Sequence, residues 1–399
     1  MSVPLEGIRV LDFTQQHMGP TATVMLADLG AEVIKVEPPW KDNLAHPEAA
    51  RRAPDGFDSA HEAHNRGKKS IAVDLKTPEG KEVIYRLIPK VDVLAENFSA
   101  GVMDRLGLGY EDLSPLNPRL VYGSCTSFGP TGPLRDWKGM DSIFQAMSGI
   151  MWLQAGSDGV CPEPVQMNLG DTVGGILFSH SIVVALLARD RTGLGQKVES
   201  SGLGNMISLQ RWRVTGALRH GFRWAVPHGL IADDPVRYFH RDSRGGWFVI
   251  SLRSAGSWAR FCEVIGREDL KDHPQWQSRA GRKGSKELEE LLAKIFATRT
   301  RDEWVDAFQA HSVVAGPVYS YDDLADEPQC LVNEYIVPVE DPRWGAMKVP
   351  GVNAKFSATP AANPAGSAPT LGEHTLDVLT GLAGYGPDEV DRLKDAGTI

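Results

Sequence analysis

The chain has 399 residues, enough for more than one hydrophobic core, which excludes a single small domain. Against 51 Asp and Glu it sets 42 Lys and Arg, for a formal net charge of -9, so the protein as a whole attracts neither nucleic acid nor an anionic membrane. Its four cysteines, Cys125, Cys161, Cys262 and Cys330, are widely spaced without a CxxC, which argues against a zinc site or a disulfide framework.

In chain order, GIRVLDF (residues 7–13) reads as a strand, PTATVMLADLG (20–30) as a helix and EVIKVE (32–37) as a second strand. The alternation repeats in SIAVDL (70–75), PEGKEVIYRLI (78–88) with proline in its first turn, and DVLAENF (92–98), and LVYGSCTS (120–127) adds another strand. This βα order predicts a parallel sheet with helices on both faces. NRGKKS (65–70) reads as a solvated basic turn. The apolar run from Ile176 to Ala188 reads as a buried helix, short for a membrane span and interrupted by Ser179, His180 and Ser181. MSVPLEGIRV lacks signal-peptide character, so a soluble, cytoplasmic protein is expected. From about residue 225 tryptophan and arginine become more frequent. RDSRGGWFVISL reads as a turn into a strand, and helices are expected near 255–266, 285–297 and 301–311. The tail from about Asp341 has a Pro/Ala-rich connection, ATPAANPAGSAP, before two closing helices in EHTLDVLTGL and PDEVDRLKDAG.

Two stretches bear on chemistry. A dinucleotide site needs GxGxxG in the first βα turn, where glycines let the backbone approach a pyrophosphate. This chain has TQQHMGPTAT there, with Gly19 alone, which weighs against NAD or FAD. The second stretch, MNLGDTVGG (167–175), sets Asp171 at the start of the apolar helix. An aspartate there can cap the helix by accepting from the first-turn N–H groups, or it can be a reactive carboxylate.

Motifs along nearly the whole chain carry a resemblance: LEGIRVLDFTQ with GP and MLADLGAEVIKVEPP, NRGKKSIAVDLKTPEGKEV, DVLAENFSAGVMDRLGLGYEDL, NPRLVYGSCTSFGPTGP, LGDTVGGILFSHSIVVAL, RTGLGQKVE, AGPVYS and LGEHTLDVL. In that order they resemble the class III (CaiB/BaiF-type) CoA-transferases, the group of carnitine and formyl-CoA transferases. The resemblance implies an α/β fold: a Rossmann-like large domain, a smaller inserted α+β domain, and two copies interlocked as a homodimer. The expected division is large domain 1–200, linker helix 201–224, small domain 225–325, and completion of the large domain over 326–399.

It also implies acyl-CoA:carboxylate CoA transfer, with Asp171 as nucleophile and coenzyme A as substrate and product rather than a tightly bound cofactor. Neither a metal nor a redox group is called for, and the expected partners are an acyl-CoA and a carboxylic acid, with no nucleic acid and no membrane. Carried over by motif, the CoA contacts are His17 and Met18; Val73, Asp74, Leu75 and Lys76; Asn97, Phe98 and Ser99; Arg105; and Lys138, Gly139, Met140 and Asp141. Arg105 and Lys138 are the candidates for phosphate. Gly174 and Gly175 could leave N–H groups open to an oxyanion or allow close helix packing.

Three departures sharpen this. His17 stands where some members have glutamine near the reacting thioester. The glycine-rich loop of formyl-CoA transferases is not found, which argues against oxalate and formate as substrates. Met140 stands where α-methylacyl-CoA racemases have the histidine that serves as a second base, and methionine cannot move a proton. Arg211, Arg219 and Arg223 can share one helix face and bind a distal carboxylate or a partner, and Trp212 and Trp224 could line a pocket or pack.

Overall fold

The structure, a computed structural model, describes residues 2–40, 55–155, 161–221, 234–252, 256–361 and 367–399. Arg223 and Trp224 lie outside the described residues. The chain forms two compact units, one of Met1–Met151, Glu163–Arg223 and Leu331–Ile399, the other of Trp152–Pro162 and Trp224–Cys330.

The larger unit is built on six parallel strands: β1 (Arg9–Asp12), β2 (Glu32–Glu37), β3 (Lys69–Ala72), β4 (Val93–Glu96), β5 (Val121–Thr126) and β6 (Gln196–Ser201). Their order is β3-β2-β1-β4-β5-β6, all neighbours parallel. It reverses between β1 and β4, the point at which doubly wound sheets open a crevice beyond their carboxyl ends.

Side chains alternate along each strand, so one face collects Leu11, Ile34 and Ile71 with the helix Pro78–Leu87. Val378, Leu379, Val390 and Leu393 of the two closing helices complete that core. The other face sets Val10, Val33, Val93 and Val121 against Ala22 and Leu26 of the helix Met18–Asp28 and Phe178 and Ile182 of the helix Leu169–Thr192. The latter helix has 24 residues and is long and apolar enough to cross a membrane, contrary to the short span expected. Its apolarity serves packing against the sheet and the Met18–Asp28 helix. Ideal Cβ atoms at Gly174 and Gly175 would come within 2.6 Å of Met18 Sδ and 2.5 Å of Thr21 Cβ, so these glycines act by close packing rather than by presenting N–H groups.

Some elements escaped the sequence reading. The edge strand β6 is polar, QKVESS, and carries no apolar alternation. The tail holds an antiparallel hairpin, Ile336–Asp341 with Gly345–Pro350. NRGKKS is no solvated turn: Lys68 and Ser70 are buried, and Lys68 Nζ pairs with buried Asp12 at 3.0 Å.

The smaller unit has a three-stranded antiparallel sheet, β7 (Tyr238–Arg241), β8 (Trp247–Ser251) and β9 (Val314–Pro317), with helices at Ser257–Val264, Lys286–Phe296 and Arg301–Ala310. Its core packs Phe248, Phe261, Phe296, Trp304 and Phe308.

Candidate active site

A cavity of about 630 Å³ opens at the switch point of the six-stranded sheet. Residues 15–18 reach it from beyond β1, 97–99 from beyond β4 and Ser127 from beyond β5, while 139–142 and 164–168 form the facing wall, and Asp171 lies among them.

The loop after β1 is fixed from below and from the side. Asp12 accepts from Thr14 N (2.8 Å), Thr23 Oγ1 (2.8 Å) and Lys68 Nζ (3.0 Å), and Lys35 Nζ donates to Thr14 O at 2.9 Å. Burial alone would raise the Asp12 pKa, but Lys68 and Lys35 hold it far below the usual carboxylate range. The Asn97 amide brackets the backbone of Gln15, accepting from its N at 2.7 Å and donating to its O at 2.9 Å. Gln16, with φ 63°, takes the left-handed region that non-glycine residues avoid.

Asp171 is the third residue of the Leu169–Thr192 helix, not its cap. The cap position belongs to Asn168, left-handed at φ 48°, whose side chain makes no capping bond. Asp141 performs that task from another helix, Asp141–Met147: its Oδ1 accepts from Gly170 N (2.7 Å) and Asp171 N (3.1 Å). Gln145 donates to Asp141 Oδ2 at 2.7 Å and exchanges bonds with Val165 N (2.8 Å) and O (3.0 Å), tying the facing wall to the same helix.

The Asp171 carboxylate has no ion-pair partner among the described residues. Burial, and secondarily the charge of Asp141, push its pKa up to about 6. Asp141 already accepts from the N–H groups of Gly170 and Asp171, so those donors do not offset the burial of the Asp171 carboxyl. At neutral pH the anion still predominates. Cys125 of β5 also lines the cavity but is buried, with its thiol pushed up to about 12, so it is no nucleophile.

Of the candidate CoA contacts, His17, Met18, Asn97, Phe98, Ser99, Gly139, Met140 and Asp141 line the cavity, and Val73, Asp74, Leu75, Lys76, Arg105 and Lys138 stand outside its lining. Val73 is a core residue, and Lys76 lies 5.1 Å from the Trp40 ring. A Cβ on Gly101 would come within 3.1 Å of Arg105 Nη1 and 3.5 Å of Arg135 Nη2, so two guanidinium groups converge beyond Ser99. Arg135 went unnoticed in the sequence because it sits in an irregular loop. Beside it, burial pushes the Glu96 carboxyl up to about 7 while it accepts from Phe98 N at 2.8 Å. Arg211 and Arg219 lie exposed on the helix Arg211–His220, none of whose residues is buried, and Arg211 donates to Ser208 Oγ.

Comparison with known proteins bears on this geometry. The profile described as CoA-transferase family III matches residues 5–375. The chain is 33% identical to a formyl-CoA:oxalate CoA-transferase of Streptomyces avermitilis, covering 100% of both chains. It is 32% identical to a succinyl-CoA–D-citramalate CoA-transferase of Chloroflexus aurantiacus, covering 98% of this chain and 97% of that one. A CAIB/BAIF family protein from Brucella suis superposes with a TM-score of 0.83 at 28% identity, over 96% of this chain and 100% of the other.

Proposed function

The chain belongs to CoA-transferase family III, and on that premise we propose that it moves CoA between a thioester and a carboxylic acid with Asp171 as the covalent nucleophile. The Asp171 carboxylate attacks the acyl-CoA carbonyl and expels CoA thiolate, leaving an aspartyl acyl anhydride. The thiolate attacks the aspartyl carbonyl, releasing the first acid and forming an aspartyl-CoA thioester. The acceptor carboxylate displaces the thiolate to make a second anhydride. The thiolate then attacks the acceptor's acyl carbon, which yields the new thioester and frees Asp171. Each intermediate is about as activated as the substrate, so the steps remain reversible provided water is kept out.

The observation that carries this reading is a carboxylate without a cationic partner among the described residues, in the first turn of a helix, facing a cavity at the sheet's switch point, with its pKa raised to about 6. CoA lies along the carboxyl ends of β1, β4 and β5. Its pantetheine arm runs past His17, Met18, Asn97, Phe98, Ser99 and residues 139–141. Arg105 and Lys138 stay the phosphate candidates, joined by Arg135, and the backbone at 73–76 completes the contacts. CoA is substrate, not resident cofactor. The acting form is a cytoplasmic homodimer of the interlocked kind: Ile176, Val184 and Leu187 on the Leu169–Thr192 helix, with Trp212 and Leu218 beyond it, leave an apolar surface that suits a second copy.

The test is transfer from a panel of acyl-CoAs to free carboxylates, in deuterated water. Production of the acceptor thioester, lost in Asp171→Ala, is expected. Deuterium entering the α-carbon without an acceptor would instead mark an isomerase, and CoA binding without any turnover would mark a non-catalytic subunit.

A further inference from the structure

His17 lines the cavity with Asp171, yet its ring nitrogens turn toward the start of the Leu169–Thr192 helix. Nε2 lies 3.1 Å from Thr172 Oγ1, and Nδ1 lies 3.4 Å from Asn168 Nδ2. An amide nitrogen only donates, so Nδ1 accepts, the ring proton sits on Nε2, and Nε2 donates to the Thr172 hydroxyl. That hydroxyl in turn donates to Met167 O at 3.4 Å.

One imidazole therefore bridges the residues on either side of Asp171. The bridge falls where the backbone needs it: Met167 and Asn168 take successive left-handed φ values of 69° and 48°. Such residues cost on the order of 1–3 kcal/mol each and persist only where their surroundings hold them. Asn168 does not use its side chain to cap the helix, and that side chain instead meets His17. Behind His17 stands His64, with ring centroids 4.3 Å apart, itself fixed by Nδ1 donating to Ala60 O at 2.7 Å.

We infer that His17 is a positioning residue for Asp171: it locks the turn 167–172 so that the carboxylate faces the bound thioester in one orientation. Its contribution is larger to the rate of acyl transfer onto Asp171 than to the affinity for CoA, whose pantetheine arm it also lines. The inference rests on the transferase reading above.

The test uses the full-length protein with succinyl-CoA, propionyl-CoA and benzoyl-CoA in parallel. Acylation of Asp171 is followed in a single turnover as the hydroxamate formed on quenching with hydroxylamine, and CoA affinity is measured by calorimetry. His17→Ala is expected to slow acylation at saturating donor on the order of 10–100-fold, the range in which misplacement by about 1 Å acts, with CoA affinity falling by a smaller factor than the rate. Thr172→Val slows it comparably, and the double variant is no slower than the slower single, because both remove one interaction. His17→Gln keeps the rate within about fivefold of the wild type, since an amide offers the same donor and acceptor without a ring. Wild-type acylation rates in His17→Ala, additive losses in the double variant, or a His17→Gln as slow as His17→Ala would overturn the inference while leaving the transferase reading intact. A wild-type chain that no donor acylates would remove both.

Discussion

Two carboxylates flank the loop that carries His17, and the protein treats them in opposite ways. Asp12, beneath the loop, is sealed from water and met by Lys68, Lys35 and two threonine hydroxyls, which hold it ionised. Asp171, across the cavity, is half-buried, meets no cation among the described residues, and shares its helix start with a second carboxylate, Asp141. A carboxylate that only has to hold a turn is neutralised by its neighbours. Asp171, the nucleophile in the proposed scheme, meets no cation among the described residues and has its pKa lifted to about 6, so its lone pairs are not committed to a salt bridge.

The contrast is sharpest under direct replacement. Asp171→Ala is expected to lower transfer by at least about 10³-fold while CoA still binds, as loss of a covalent nucleophile does. Lys68→Met attacks the other side. It strands the buried Asp12 charge and is expected to cost about 3–5 kcal/mol of stability in urea unfolding, part of which Asp12→Asn in the same chain restores. An undisturbed Lys68→Met protein would mean that the loop is not held from below.

A smaller effect separates the two acids at the helix start. In the proposed scheme the reactive form of Asp171 is the anion, so kcat/KM should fall as pH drops through about 6. Asp141→Asn removes the charge that helps raise that value while Asn Oδ1 can still accept from the helix N–H groups. The acid limb should therefore move to lower pH. A limb that stays in place would assign the raised value to burial alone.

The smallest effect is on stability. Because the folded-state value of Asp171 lies above its ordinary 3.8, the fold favours the protonated acid, and this contribution is lost as pH rises through about 6. Asp171→Asn should raise Tm by about 1–3 °C at pH 7.5 and by less at pH 4.5.

The sequence carried most of the parallel sheet, because β1 to β5 are apolar runs separated by helical periodicity. It did not carry β6, a polar edge strand, or the 336–350 hairpin, whose strands IVPVED and GAMKVP contain prolines and charges. Asp171 was legible as a candidate through its place before an apolar helix, but its electrostatics were not. The carboxylate that caps its helix comes from Asp141, 30 residues earlier, and no local pattern announces that contact. Lys68 was misread for the same reason: a basic run looks solvated until the fold brings Asp12 against it.

In the proposed scheme Asp171 becomes covalently attached, and oxygen exchange is the sharpest probe of that step. In the proposed scheme the acceptor's carboxylate oxygen enters the second anhydride and remains on Asp171 when the thiolate takes the acyl group. The protein is turned over with acyl-CoA and an acceptor acid labelled with ¹⁸O, then digested, and the peptide containing Asp171 is weighed by mass spectrometry. This peptide is expected to gain the label during turnover, and no other carboxylate is. Turnover that leaves Asp171 unlabelled would contradict the scheme and return this residue to a structural or acid–base role.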